Sequence, residues 1–248
     1  MDVSEIVGEI AKLDISRSLR RGVPEVIYAE GKSVNQLKTI VERIISREYR
    51  RGYFPSQVII SRLKPEHTVA LRGIFSKLSI RAWRLDYFEE GNIGLISHLA
   101  RPKIDEKDRG RVALLSAGTS DIHALSESRV VLQAMGCVTL QFNDVGVAGL
   151  GRLTKPLKSI QKFDPDALIV AAGMEGALPS LIAGLSGVPV IGLPTSVGHG
   201  YGGKGEAALM SMLQACPLGV CAVNIDGGVS AGVIAALIAN RCARMRRE

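Results

Sequence analysis

The stretch that decides the fold is Val112-Ala-Leu-Leu-Ser-Ala-Gly-Thr-Ser-Asp121. An apolar run gives way to small polar residues and glycine, and a helical pattern follows that includes Ile122, Leu125 and Val130. This order of strand, turn and helix start places backbone N–H groups at a helix N-terminus, where unpaired donors and the helix dipole favour an anion. The turn therefore predicts a phosphate site made of Ser116, Gly118, Thr119, Ser120 and Asp121. The alternative is an ordinary helix cap at Ser120 or Asp121 without a ligand.

The same alternation continues to the end of the chain. Further strands are predicted at 138–141, 167–172, 189–193 and 219–226, and the intervening helices at 121–135, 150–163, 178–185, 205–213 and 232–244. Continuous apolar strands between helices indicate an α/β domain with a parallel sheet and helices on both faces. Ligands bind such sheets beyond the carboxyl ends of the strands, so we expect the site where residues 116–121, 143–144, 173–175, 194–196 and 224–226 converge.

The first part of the chain differs in composition. Residues 1–111 hold 21 Lys and Arg against 15 Asp and Glu, whereas residues 112–248 hold 10 against 9. A helix is predicted at 34–49, a strand at 56–61, a short helix at 71–78 and a charged linker at 101–111. We therefore expect a smaller basic α+β domain (residues 1–108) before the α/β domain (residues 109–248).

The basic excess has three interpretations: nucleic-acid binding, attraction of a small phosphorylated substrate, or solvated helix faces. Acids interrupt the basic residues and aromatic residues make up only 4% of the chain, so a nucleic-acid partner is not expected. No apolar run reaches the ~18 residues of a membrane span, and the acidic N-terminus has no signal-peptide core. The expected location is the cytoplasm, without a membrane partner. There the cysteines are expected to be free thiols: Cys137, Cys216, Cys221 and Cys242.

Four segments resemble, in order and spacing, the aminoimidazole-ribonucleotide carboxylase family. They are the turn 116–121, Ala171-Ala-Gly-Met-Glu-Gly-Ala-Leu-Pro-Ser180, Pro189-Val-Ile-Gly-Leu-Pro194 and Gly219-Val-Cys-Ala-Val-Asn-Ile-Asp226. The N-terminal stretch 13–27 and Gly31-Lys32 resemble the LarB family, the pyridinium-3,5-biscarboxylic acid mononucleotide synthases of nickel-pincer cofactor assembly. Members of that family have a carboxylase-like C-terminal half. The resemblance implies a flavodoxin-like sheet and a homo-oligomer, most simply an octamer.

The resemblance also implies catalytic residues. In the LarB family a cysteine in the loop before the last strand attacks the pyridinium ring, and the matching residue here is Cys216, which we expect beside the pocket. Ala177 stands where the carboxylase family has a histidine, which favours the LarB chemistry. Glu175 and Asp144 are isolated acids at strand ends, and one of them is expected to be the base for the ring proton. For Glu175 a magnesium ligand is the other open role. A turn-forming or capping role is the alternative for each.

The remaining expected substrate-binding residues come from the other strand ends and from the basic N-terminal arm. They are Gly173, Met174, Thr195, Ser196, Gly198, Asn224, Arg17, Arg20 and Lys32. The glycine-rich stretch 196–205 is expected to be a lid or nucleotide clamp, in which the roles of His199 and Lys204 stay open. A mobile surface loop is the alternative.

The expected reaction is carboxylation of nicotinic acid adenine dinucleotide at carbon 5 of the ring, with hydrolysis of the phosphoanhydride and release of AMP. Carbon dioxide or bicarbonate is the co-substrate, Mg²⁺ is the expected cation without assigned ligands, and no organic cofactor is expected. The alternatives are an aminoimidazole-ribonucleotide carboxylase or mutase and a non-catalytic nucleotide-binding protein.

Overall fold

The chain divides into two compact units, residues 1–103 and residues 104–248, in a computed structural model. The structure describes residues 4–7, 11–14, 17–46, 56–76, 82–100, 105 and 108–246. Each unit has its own sheet and its own hydrophobic core.

The first unit is a mixed α+β fold. Its elements are β1 (Ser4–Val7), β2 (Ala11–Asp14), α1 (Arg17–Arg21), β3 (Glu25–Tyr28), α2 (Val34–Ile45), β4 (Gln57–Ser61), α3 (Pro65–Phe75), β5 (Trp83–Phe88) and β6 (Ile93–His98). The order of strands in the main sheet is β3-β4-β6-β5. Strands β3 and β4 are parallel, whereas β6 is antiparallel to both β4 and β5. Strands β1 and β2 form a separate antiparallel pair.

Local signals explain where the two longer helices of this unit begin. Ser33 and Gln36 form a capping box at α2, with each side chain bonded to the other residue's backbone N–H. Pro65 occupies the first turn of α3, where its missing N–H costs nothing. The apolar face of α2 packs onto the sheet, and its buried residues are Leu37, Ile40, Val41 and Ile44.

The second unit is a parallel α/β fold. Its elements are β7 (Arg111–Ser116), α4 (Ile122–Ala134), β8 (Val138–Phe142), α5 (Thr154–Phe163), β9 (Ala167–Ala172), α6 (Ala177–Leu185), β10 (Val190–Pro194), α7 (Glu206–Leu213), β11 (Val220–Ala222) and α8 (Gly228–Met245). All neighbouring strands are parallel, in the order β8-β7-β9-β10-β11. This is the flavodoxin-like order, and it confirms the predicted α/β class with a parallel sheet.

Helices cover both faces of this sheet. On one face, α5, α6 and α7 share a core with the strands, and the residues of that core include Leu115, Ile160, Val170, Ile182, Val190 and Met212. On the other face, α4 and α8 pack on β7 and β9 and against each other. Their close approach needs glycine: a Cβ on Gly228 would lie 2.2 Å from the carbonyl oxygen of Ala124.

Several predicted elements differ in extent from the observed ones. Helix α3 begins six residues before the predicted 71–78, because Pro65 starts it ahead of the apolar residues. The predicted strand 219–226 is reduced to β11, since Asn224–Gly227 forms a turn in which Asp226 has a φ of +53°. The predicted linker 101–111 lies mostly outside the described residues, as do residues 47–49 and 77–78. None of the described helices is long and apolar enough to cross a membrane.

The packing of α4 on α8 generates a stability prediction. Gly228→Ala places a methyl group against the backbone of Ala124, and we expect it to destabilise the fold by ~1–3 kcal/mol. Thermal unfolding measures this, with Gly187→Ala as the matched control because a Cβ there meets nothing within 4 Å. Equal melting temperatures for the two variants would show that the helices can separate at no cost.

Candidate active site

A cavity of about 480 Å³ opens at the carboxyl ends of β7 and β9. Its walls come from residues 117–121 after β7, from 144–152 after β8, from 172–178 at the end of β9, and from Val197 after β10. In the observed strand order the chain leaves β7 toward β8 on one side and returns to β9 on the other. Ligands of open α/β sheets bind at this type of switch point, because the adjacent loops diverge there.

The turn after β7 forms one wall of the cavity. Ser116 is fully buried, and its hydroxyl accepts a hydrogen bond from the N–H of Asp144 at 3.2 Å. Thr119 and Ser120 are exposed and line the cavity together with Gly118. The predicted phosphate turn therefore faces the cavity through 118–120, while Ser116 joins it to the loop after β8.

Asp121 has a buried carboxylate with two short hydrogen bonds. One oxygen accepts from the N–H of Gly118 at 2.7 Å, and the other accepts from the hydroxyl of Thr195 at 2.6 Å. The side chain thus ties the turn after β7 to the end of β10. Gly118 and Thr195 are both predicted ligand-binding residues, and each donates a hydrogen bond to this carboxylate.

Asp144 lies at the end of β8 with a φ of +55°. Its carboxylate forms an ion pair with Arg152 at 2.7 Å, and both residues line the cavity. The Asp144 carboxylate is therefore occupied by a guanidinium at the cavity wall.

Glu175 lies in the tight turn that follows β9. The side chain is exposed and lines the cavity, as does Met174, which has a φ of +50°. Gly173 is packed so closely that a Cβ would lie 2.1 Å from the carbonyl oxygen of Val197. Ala177 also lines the cavity. The position at which the carboxylase family has a histidine is therefore part of the cavity wall.

The substrate-binding residues predicted after β10 and β11 do not line the cavity. The segments that carry them are hydrogen-bonded to neighbouring loops beside it. The N–H of Met174 donates to the carbonyl of Val197 at 2.9 Å, and the N–H of Ser196 donates to the carboxylate of Asp226 at 2.9 Å. The cavity lining therefore includes Val197 but omits Thr195, Ser196, Gly198 and Asn224. The glycine-rich stretch 196–205 begins at Ser196, which makes one of these hydrogen bonds.

Cys216 lies at the opposite edge of the sheet from the cavity. It precedes β11, and loops that precede parallel strands lie at their amino ends. A Cβ on Gly184, near the end of α6, would contact the ring of the neighbouring Pro217 at 4.0 Å. A five-residue strand such as β10 spans about 16 Å, so the thiol is far from the cavity of its own chain. The expectation that Cys216 lies beside this pocket does not hold within one chain.

Two thiols differ in environment from Cys216. Burial raises the pKa of Cys137 to about 12, with the nearby Asp166 as a smaller cause. Burial also raises the pKa of Cys221 in β11. Both shifts disfavour the thiolate. Cys216 and Cys221 are both exposed, so exposure separates them only from the buried Cys137.

The three basic residues predicted to bind phosphate in the first unit do not lie together. Arg17 and Arg20 precede β3 and Lys32 follows it, so a strand of about 13 Å lies between them. Arg20 donates to both carboxylate oxygens of Asp14, at 2.8 and 2.7 Å, and Arg17 lies 3.4 Å from a carboxylate oxygen of Glu25. Burial raises the pKa of Glu25, while Arg17 lowers it in part.

The described residues contain no group of three or more His, Cys, Asp and Glu that could hold a metal ion. Of the cavity acids, Asp121 is committed to two hydrogen bonds and Asp144 to an arginine. Glu175 is the remaining acid of the cavity lining, and a single carboxylate does not make a resident Mg²⁺ site. An ion there would have to arrive on the phosphates of a ligand, as Mg²⁺ commonly does.

Sequence reasoning missed Arg152, the one arginine or lysine that the structure places in the cavity lining. Residues 147–153 form a 3₁₀ segment before α5, with Gly149 in a non-helical conformation. The sequence pattern predicts a helix from residue 150, and that prediction hides this loop position. The glycines at 146, 149 and 151 are the signal that could have marked a loop there.

The parallel sheet, the switch-point cavity and its small-residue turn define a flavodoxin-like α/β domain with a ligand-sized cavity at its switch point. In agreement with this class, residues 111–247 match the AIR carboxylase family, and residues 4–96 match the LarB/PurE-like N-terminal domain. The chain therefore belongs to the LarB family and is a carboxylase-type enzyme associated with nickel-pincer cofactor assembly. It is also 37% identical over 235 residues to the uncharacterized protein MJ0165 of Methanocaldococcus jannaschii, covering 95% of this chain and 86% of the relative.

The Asp121–Thr195 bond generates a second prediction. Thr195→Val leaves a buried carboxylate oxygen without its donor, which costs ~2 kcal/mol for a hydrogen bond to a charged group. Thr195→Ser retains the hydroxyl and is the matched control. The midpoint of urea unfolding should fall for the valine variant alone, and an equal midpoint in both variants would contradict the clamping role of Asp121.

Proposed function

We propose that the protein carboxylates the pyridinium ring of nicotinic acid adenine dinucleotide at carbon 5 through a cysteine adduct. It then hydrolyses the phosphoanhydride, so that the products are AMP and pyridinium-3,5-biscarboxylic acid mononucleotide. The observation that carries this proposal is the cavity itself. A carboxylase-type pocket has alanine at 177, where the carboxylase family has histidine, and retains an acid at Glu175.

The chemistry explains why such a pocket needs a thiol. A pyridinium ring is electron-poor and does not attack carbon dioxide. Addition of a thiolate at ring carbon 4 gives a dihydropyridine whose carbon 5 is enamine-like. That carbon forms the new bond to carbon dioxide, a base removes the proton from carbon 5, and expulsion of the thiolate restores the aromatic ring.

Glu175 is the proposed base for the carbon 5 proton. It lines the cavity at a strand end, and no ion pair holds it among the described residues. Asp144 instead holds Arg152, whose guanidinium is suited to a phosphate or carboxylate of the substrate. The turn 118–120 supports a phosphate on the other side of the cavity, and any Mg²⁺ would be bound by the pyrophosphate.

The proposed thiol comes from a neighbouring copy of the chain. Cys216 is exposed at the amino edge. Exposed apolar side chains lie at the end of α6, in the second half of α7 and in the loop before β11: Leu185, Met210, Leu213 and Leu218. Leu218 is 93% exposed, which is costly for a leucine in a monomer. Helix α8 adds the partly exposed Ile234 and Leu237 on the outside of its packed alanines. These surfaces support a closed homo-oligomer, and we propose an octamer that brings one chain's thiol to another's cavity.

The reaction is tested by incubating pure protein with nicotinic acid adenine dinucleotide, bicarbonate and Mg²⁺. Mass spectrometry should find AMP and the dicarboxylated mononucleotide, and the dicarboxylated product should be absent without bicarbonate. Carboxylation of aminoimidazole ribonucleotide, with no reaction of the dinucleotide, would replace the proposal by the purine-type activity.

A third prediction separates the two residues proposed for catalysis. Cys216→Ser should abolish the protein–ring adduct seen by intact mass, and Glu175→Gln should lower turnover by ~100-fold or more. Cys221→Ser is the matched control, since its thiol lies in the same segment and is expected to be dispensable.

The same variants test whether the thiol crosses between chains. When Cys216→Ser and Glu175→Gln chains are unfolded, mixed equally and reassembled, about a quarter of the wild-type activity should return in a shared-site oligomer. A thiol that acts within its own chain gives no such recovery. Light scattering that reports a monomer at micromolar concentration would also refute the shared site.

A further inference from the structure

Two neighbouring loops leave the carboxyl edge of the parallel pair β3 and β4 in the first unit. They are residues 29–33 and 62–64, and each leads into a helix. This is the edge at which open sheets with parallel strands bind ligands. The cavity described above belongs to the other unit, so this edge is a separate place to look for a ligand.

The two loops are held together by their own contacts. The N–H of Ala29 donates to the carbonyl of Ser61 at 2.9 Å, and Arg62 forms an ion pair with Glu30 at 2.9 Å. The N–H of Leu63 donates to the carbonyl of Asn92 at 2.7 Å, which fixes the second loop to the turn before β6. Any group carried by these loops is therefore held at a defined spacing.

A buried histidine completes the link. His67, in the first turn of α3, is 1% exposed, and its Nδ1 accepts from the N–H of Lys64 at 3.2 Å. Since Nδ1 is then the unprotonated nitrogen, Nε2 carries the proton and donates to the carbonyl of Lys32 at 2.9 Å. One imidazole ring thus spans the two lysine-bearing loops. An apolar side chain would fill the same space without the cost of burying two polar atoms.

The charge at this edge comes from the side chains. The capping box of Ser33 and Gln36 occupies backbone donors at the start of α2. Of the nearby charged residues, Arg62 is paired with Glu30, and Glu66 is an exposed acid in the first turn of α3. Neither Lys32 nor Lys64 has an ion-pair partner among the residues that the structure describes.

We propose that Lys32 and Lys64 together bind a phosphate group and that His67 is the positioning residue that sets their spacing. The inference rests on the proposed function in one respect: that function makes a phosphorylated substrate the source of the phosphate. Lys32 is predicted from the sequence as a phosphate-binding residue together with Arg17 and Arg20. That prediction does not include Lys64. Those two arginines lie at the far end of β3 and are engaged by Asp14 and Glu25.

The test is limited acetylation of lysines in the full-length protein, followed by peptide mass spectrometry. Inorganic pyrophosphate is the probe, because it carries the proposed chemistry without the ring. Acetylation of Lys32 and Lys64 should slow by about tenfold when pyrophosphate is bound, as expected for a charge-assisted contact. Lys38, on α2, is the internal reference and should react at an unchanged rate. An unchanged rate at Lys64 overturns the proposal.

Variants separate binding from positioning. Lys32→Ala should remove the protection of Lys64, and Lys64→Ala that of Lys32, because one anion bridges both. His67→Leu should weaken the protection of both lysines while circular dichroism shows a folded chain. His67→Gln, whose amide reaches as far as Nε2, should restore part of it. Full protection in Lys32→Ala overturns the pair, and full protection in His67→Leu overturns the positioning role.

The outcome is distinguishable from that of the proposed reaction. Protection by pyrophosphate without turnover of the dinucleotide leaves the lysine pair standing and removes the reaction. Turnover without protection of Lys64 removes the lysine pair and leaves the reaction.

Discussion

The common direction of five strands governs the second unit. Because β7 to β11 all run the same way, every loop that follows a strand meets at one edge, and every loop that precedes a strand meets at the other. The first edge gathers the turn 118–120, Asp144 and Glu175 around a cavity. The second receives Cys216. The fold that assembles the pocket thereby keeps the thiol of the same chain out of it.

Within the cavity, polar contacts decide which groups are available to a ligand. Asp121 uses both carboxylate oxygens on Gly118 and Thr195, so its contribution is to hold two loops in place. Asp144 is bound by Arg152, and this ion pair orients a cation at the rim. Glu175 has neither restraint. A set of acids that look alike in sequence thus divides into a clamp, an orienting partner and a candidate base.

The sequence predicts most strongly where apolar continuity is strongest. The buried strands β7, β9 and β10 and the strand-end positions of the cavity follow from that pattern alone. Helix α3 begins earlier than predicted because its first turn, Pro65 to Thr68, carries no apolar face. Arg152 was missed because a 3₁₀ segment resembles a helix in sequence. The edge on which Cys216 falls was misjudged because a loop before a strand was treated like a loop after one. The partners of Arg17 and Arg20 depend on the unpredicted strands β2 and β3.

If the proposed shared site is correct, the distance between Cys216 and the cavity has a consequence for handling the protein. A site completed by a second subunit exists only as long as the assembly does, so specific activity would fall on dilution although each chain stays folded. Separated chains would also expose Leu218 and a free thiol together. Oxidation or adhesion at that edge would then block reassembly, which makes the protein's own concentration a determinant of its working lifetime.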